Sequence, residues 1–184
     1  MGVFDRMREG LAAEGTDQKI IMIDATYPKA HRTASSLRTE KGPDDQRGRL
    51  IGRTKGGLNT KVHAVTSKGR PLKFFMTAGQ VSDYTKAAAL LGSLPAAEWR
   101  IADQGNDADW FRETLKDKGI RPCIPGWKSR GKAIRYGSGY RRRKRIEIRF
   151  GRLTDWRRVA TRYDRCAKTF LSALALAATV IFWL

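Results

Sequence analysis

The chain reads as an α/β protein: a mixed sheet flanked by helices, with an apolar helix at its C-terminus. Three observations lead there. Short runs of strand-favouring residues recur at 19–23, 59–66, 71–77, 98–102 and 120–124. The first three have no helical spacing between them, whereas the later ones alternate with stretches of apolar residues spaced as on one helix face. Strands that can pair antiparallel, followed by alternating helix and strand units, suit a mixed sheet covered by helices.

Taken in order, residues 1–9 mix both charges among apolar positions, unlike a secretory signal. Residues 1–18 are therefore set apart as an N-terminal amphipathic segment. Residues 19–23 form an apolar run that ends at Asp24, the pattern of a buried strand. Residues 32–57 turn polar and glycine-rich and carry Arg47, Arg49, Arg53 and Lys55, a loop expected to lie over a phosphate backbone or to order only against one. The alternation in 59–66 and the run at 71–77 flank a Ser67-Lys-Gly69 turn and predict a hairpin. Residues 84–94 predict a helix closed by Gly92 and Pro95, and 98–102 a strand running into Asp103-Gln-Gly105. Asp107 is placed to cap a helix over 108–118 that ends at Gly119, with a fifth strand over 120–124. After a basic loop comes a long arginine-rich helix from Tyr140, completing a domain over 19–168. Residues 169–184 hold no charge. This run is shorter than the about 20 residues a membrane span requires and predicts a helix packed on the domain.

Lys and Arg total 37 against 18 Asp and Glu, a net charge of +19 with a pI near 10.6. Such a chain needs a polyanionic partner, and nucleic acid is the first candidate. The excess is concentrated: Arg141 to Lys168 holds twelve basic and three acidic residues. Cys123 and Cys166 form no Cys-x-x-Cys spacing, which argues against a zinc module or disulfide scaffold and fits a reducing cytoplasm.

Within that basic run stands Glu147. On a helix, Tyr140, Arg143, Glu147 and Thr154 share one stripe, while Ile146, Phe150 and Leu153 form an apolar one. Glu147 alone is explained by surface ion pairs worth about 0.3–0.5 kcal/mol each. Asp24 alone is explained by an Asx turn, and Asp103 by an ordinary strand-to-helix turn. Together, two acids at strand ends and a third on a basic helix form a constellation. Magnesium near phosphate is held by a few carboxylates and phosphate oxygens, and three acids can hold two ions about 3.5–4 Å apart. Other motifs carry less. Gly126-Trp-Lys-Ser-Arg-Gly-Lys-Ala133 imitates a phosphate loop without the hydroxyl that would meet magnesium. Tyr140 and Tyr163 lack the Arg and His activators of a tyrosine recombinase. His31 and His63 are too few for a zinc hydrolase and suit structural hydrogen bonds.

The ordered motifs resemble the DDE transposases of bacterial insertion sequences, specifically the insertion-sequence-five group. Asp24-Ala-Thr26 with Ala30-His31, Gly56-Gly-Leu-Asn-Thr-Lys-Val-His63, Ala102-Asp-Gln-Gly-Asn-Asp107, and Tyr140, Arg143 and Glu147 each match a motif of that group. Residues 155–165 match the sequence that follows its third acid. The resemblance implies a ribonuclease H-like fold. It implies Asp24, Asp103 and Glu147 as catalytic residues and ligands of two Mg2+ ions, for which Mn2+ can substitute. Arg143 would pair with Glu147 or reach DNA near the scissile phosphate. Tyr140, Arg141, Arg142, Lys144, Arg145, Arg157 and Arg158 would hold double-stranded DNA, both the element's terminal inverted repeats and the target. A dimer or larger assembly on DNA is implied, as is a cytoplasmic, nucleoid-associated location without a membrane. Members of the group carry a helix-turn-helix segment ahead of the catalytic domain. Only 23 residues precede Asp24, so an upstream frame acting as a fusion is expected.

The chain also departs from the pattern. Thr154 stands where the group has Lys, Asn106 where it has Tyr, Arg149 where an apolar or amide residue is typical, and Gly137-Ser-Gly139 precedes Tyr140. These departures leave open an alternative, a truncated remnant that binds DNA non-specifically without catalysis.

Overall fold

Lys55 and Gly56 make a tight turn, and Gly57 follows at φ 94°, a left-handed backbone that side chains resist. The turn folds β3 (Gly52–Thr54) back on β4 (Gly57–Ser67), the strand on which the sheet is built. The computed structural model describes residues 3–13, 20–35, 50–67, 70–81, 97–126 and 144–184. Arg47, Arg49, the helix expected over 84–94, most of the 126–133 loop and residues Tyr140, Arg141, Arg142 and Arg143 lie outside the described residues.

Along β4, β1 (Ile20–Thr26) pairs antiparallel from Val62 to Ser67, and β2 (Lys29–Ala30) pairs at Asn59. The expected hairpin forms as β4 with β5 (Arg70–Ala78). Beyond β1, β6 (Trp99–Ala102) and β7 (Arg121–Cys123) add in parallel, and β8 (Thr161–Arg162) runs parallel to β2. The result is a mixed eight-stranded sheet, as the element pattern predicts.

Alternation along the strands sorts residues into two faces. Met22, Val62, Ala64, Phe74, Ile101 and Cys123 meet Phe150 and Leu153 of α4 (Lys144–Thr154), Val159 of α5 (Arg157–Ala160), and Phe170, Leu174, Ala177, Ala178 and Phe182 of α6 (Ala167–Trp183). Burying each large apolar side chain contributes about 1.5–3 kcal/mol, so this face anchors the three C-terminal helices. The other face joins Ala102 to Phe111 and Leu115 of α3 (Asp109–Asp117), with Ile120 and Ile124. The remaining helices among the described residues are α1 (Val3–Ala13), tied to α6 where Trp183 Nε1 donates to the Leu11 carbonyl at 3.3 Å, and the single turn α2 (Arg32–Ser35). Among the described residues no helix is long and apolar enough to cross a membrane.

Three local expectations are corrected. β1 does not stop before Asp24: long β4 keeps pairing with it, so Asp24 opposes Ala64 and the strand runs on to Thr26. Asp107 stands one residue ahead of the N-cap of α3, a position held by Ala108. Asp107 is buried and accepts from Arg112 Nε at 2.8 Å in a charge-assisted bond. The arginine helix is not continuous either. Trp156 adopts extended backbone between α4 and α5, so Arg157 and Arg158 ride a different helix from Glu147.

Two arginines are fully buried. Arg162 donates from Nε to the Asp164 carbonyl (2.9 Å), from Nη1 to Thr60 Oγ1 (2.8 Å) and from Nη2 to the Arg165 carbonyl (3.1 Å), joining β8 to β4. Arg100 stacks 4.3 Å over the Phe111 ring and has no hydrogen-bond partner among the described residues. Burial pushes its pKa down to about 9.

Candidate active site

β1 and β6 are parallel neighbours with Ile23 opposite Ala102. The next residue of each chain is an aspartate, so Asp24 and Asp103 occupy adjacent rungs, at a strand spacing of about 4.8 Å. Met22 and Ile101, two residues earlier on each, face α4 and α6. By the same alternation both carboxylates belong to that face. Asp24 Oδ1 accepts the Ala25 N–H at 2.8 Å. The Asp103 carbonyl accepts the Asn106 N–H at 2.9 Å, closing the turn at Gln104–Asn106. Both aspartates are half-buried. Asn106, where the motif has Tyr, thus serves the turn behind Asp103 through its backbone.

Glu147 lies in the first turn of α4, where the helix dipole favours an acid. One turn on, Phe150 is buried in the cluster that holds Met22 and Ile101, so α4 packs on the sheet face that carries the two aspartates, with Glu147 near its start. Glu147 is exposed. Among the described residues no three Asp, Glu, His or Cys side chains converge closely enough to hold one ion. Two acids are therefore brought together and the third is held on the facing helix, outside a closed group.

The other expected residues divide. Lys144 and Arg157 are exposed, while Arg158 Nη2 donates to Asp164 Oδ1 at 2.7 Å and is committed to an ion pair. Arg145 begins α4. The guanidinium of Arg149 lies 5.3 Å over the Phe182 ring, which explains a long cation at a position where apolar contact is typical. Thr154 Oγ1 donates to the carbonyls of Phe150 (3.0 Å) and Gly151 (2.8 Å), closing the end of its own helix. His63 stacks on Phe75 at 4.4 Å and meets Thr77 Oγ1 at 3.2 Å. It opposes Ala25, so it sits on the face away from Asp24 and is structural. Sequence reasoning missed Arg162 and the Asp107–Arg112 pair. The only signal for Arg162 was its place in the tail that matches the resemblance.

Over 140 residues the chain is 30% identical to a protein assigned as the transposase of insertion sequence element IS6501 in Brucella ovis, an alignment spanning 69% of this chain and 99% of that protein. The chain belongs to the DDE transposases. A family described as "Transposase DDE domain" matches residues 101–184, which include Asp103 and Glu147. A transposase assigned to element IS402 of Burkholderia cepacia is 29% identical over 182 residues, covering 83% of this chain and 84% of that one. Among solved structures, the Mos1 strand transfer complex overlays with a TM-score of 0.36 and 12% identity over 64% of this chain and 39% of that one, an overlay too loose to add to the sequence match. In this transposase the donor set suits a divalent cation. Two carboxylates on adjacent rungs offer the hard oxygens such ions take, with sites left for water and phosphate.

Proposed function

We propose that this transposase binds element-end DNA, hydrolyses a phosphodiester there, and joins the freed 3′-hydroxyl to target DNA. The adjacent rungs of Asp24 and Asp103, with the helix that bears Glu147 packed on the same face of the sheet, carry the proposal. Asp24, Asp103 and Glu147 would hold two Mg2+ ions, replaceable by Mn2+. Such ions lower the barrier to in-line displacement by stabilising the attacking and leaving oxygens.

The chain's own residues do the rest. Three carboxylates brought together would repel one another, a cost that a bound divalent cation would offset. Lys144 and Arg157, with Arg141, Arg142, Arg143, Arg145 and Tyr140, hold the phosphate backbone, contacts that position DNA without reading its sequence. Arg158 contributes less, because Asp164 already offsets its charge. Joining two element ends requires two copies on DNA.

Asp103→Asn is expected to abolish Mg2+-dependent nicking of an element-end duplex while DNA affinity changes by less than about threefold, since backbone contacts dominate binding. Nicking retained by Asp103→Asn overturns this assignment. The rival remnant, favoured by Thr154, predicts binding without nicking in the wild type as well.

A further inference from the structure

A second pair of parallel strands repeats the geometry of the first. On β2 and β8, Ala30 lies opposite Arg162, so His31 and Tyr163 leave the sheet on adjacent rungs. The His31 N–H donates to the Arg162 carbonyl at 2.9 Å, fixing the two backbones together. The rings meet with centroids 4.7 Å apart and planes inclined by 37°. His31 Nδ1 is turned toward its own chain, accepting the Thr33 N–H at 3.3 Å, which leaves Nε2 as the outward nitrogen. Cations frame the pair. Arg165 Nε donates to the Thr33 carbonyl at 3.2 Å, and Arg32 and Lys29 are exposed beside it.

Tyr163 is 52% exposed, so a face of its ring is open to a partner. The buried Arg162 immediately before it, with its three hydrogen bonds, holds it in place. An aromatic surface prefixed by the fold and bordered by positive charge suits a partner that carries both a flat face and a phosphate. Paired duplex DNA presents its phosphates outward and keeps its base faces stacked. An unpaired nucleotide presents both.

We propose that the Tyr163–His31 pair is a stacking platform for an unpaired base of the DNA strand being processed, with Arg32 and Arg165 holding the adjoining phosphates. The proposal rests on the reading that this chain processes DNA and adds the state of the substrate. Asp24 opposes Ala64 and Lys29 opposes Asn59 on the same strand, five residues apart. That is roughly 17 Å at about 3.4 Å per residue, or about five nucleotides of a stacked strand. Because five is an odd number, the two places lie on opposite faces of the sheet, and a strand of DNA that reaches both turns round its β8 edge.

The test compares the full chain with Tyr163→Ala and Tyr163→Phe by fluorescence anisotropy, on a blunt element-end duplex and on the same duplex with a short unpaired flap. The platform requires Tyr163→Ala to weaken flap binding about tenfold or more, the size of a lost base–aromatic stack. Blunt-duplex binding should stay within about twofold and Tyr163→Phe should behave as wild type. Equal losses on both substrates, no loss on either, or a Tyr163→Phe as weak as Tyr163→Ala overturns the platform alone. Failure of the wild type to bind either duplex overturns both the platform and the DNA-processing function. Unchanged thermal unfolding of Tyr163→Ala separates loss of the ring face from loss of the fold.

Discussion

Replacing Arg162 tests whether a buried cation holds the edge of the sheet. Its three hydrogen bonds reach Thr60 on β4 and the Asp164 and Arg165 carbonyls, and its guanidinium lies 5.5 Å over the Phe170 ring of α6. Arg162→Met keeps most of the stem's packing and forfeits the three bonds. At about 1 kcal/mol net for each, the loss is about 3 kcal/mol. Arg162→Ala also opens a cavity and should lose about 4–5 kcal/mol. A domain of this kind is stable by about 5–15 kcal/mol, so either variant removes a large share. Arg162→Lys should not rescue, because a point-like ammonium cannot span three acceptors set for a planar fork. Urea unfolding followed by circular dichroism reads the effect as a midpoint lowered by about 1–2 M. Midpoints for both Met and Ala variants that match wild type would refute the view that β8 is fastened through this residue.

Two further predictions come from α4 and β6. Thr154→Lys gives up the two carbonyl contacts of the threonine and places a cation two turns, about 10.5 Å, along the helix from Glu147. It should raise both element-end affinity and Mg2+-dependent nicking in a filter-binding and gel assay, and unchanged nicking would show that the missing lysine does not limit activity. Arg100→Met should be neutral or stabilising near pH 7, because it removes a buried charge with no hydrogen bond. The sign with pH follows from the lowered pKa: below about 9 the guanidinium is charged in both states and the fold carries its desolvation. Above about 9 the unfolded chain binds the extra proton, the wild type gains stability, and the advantage of Arg100→Met shrinks. Urea midpoints of both proteins at neutral pH and near pH 10 check it, and an advantage that grows with pH would contradict the assignment.

The strands that carry Asp24 and Asp103 were legible because each is an apolar run that ends against an acid, a pattern of local origin. Their adjacency was not. Strands separated by a hairpin and a helix pair in parallel only through the completed sheet, and no residue in 19–23 names 98–102 as its neighbour. The same limit hid Arg162: its partner Thr60 lies 102 residues away, and by residue type alone an arginine belongs on the surface. The pairing of Asp107 with Arg112 was hidden because an acid just before a helix reads first as a cap. The break at Trp156 was also hidden, since neither Gly nor Pro marks it. Where length and polarity sufficed, as in the charge-free run of α6, sequence and structure agree: Phe170, Leu174, Ala175, Ala177, Ala178 and Phe182 are buried.

The length of β4 has a mechanical consequence. Both parallel strand pairs hang from its one backbone, the first through β1 and the second through β2. A strand can shift register without turning its faces inside out only in steps of two residues, about 6.8 Å. The interval between Asp24 and His31 is thus graduated rather than adjustable, and β4 acts as a fixed scale. An insertion between Thr26 and Lys29 would leave each end of that scale folded and would be absorbed in the turn. A single residue gained inside β4 would instead throw one set of side chains onto the wrong face.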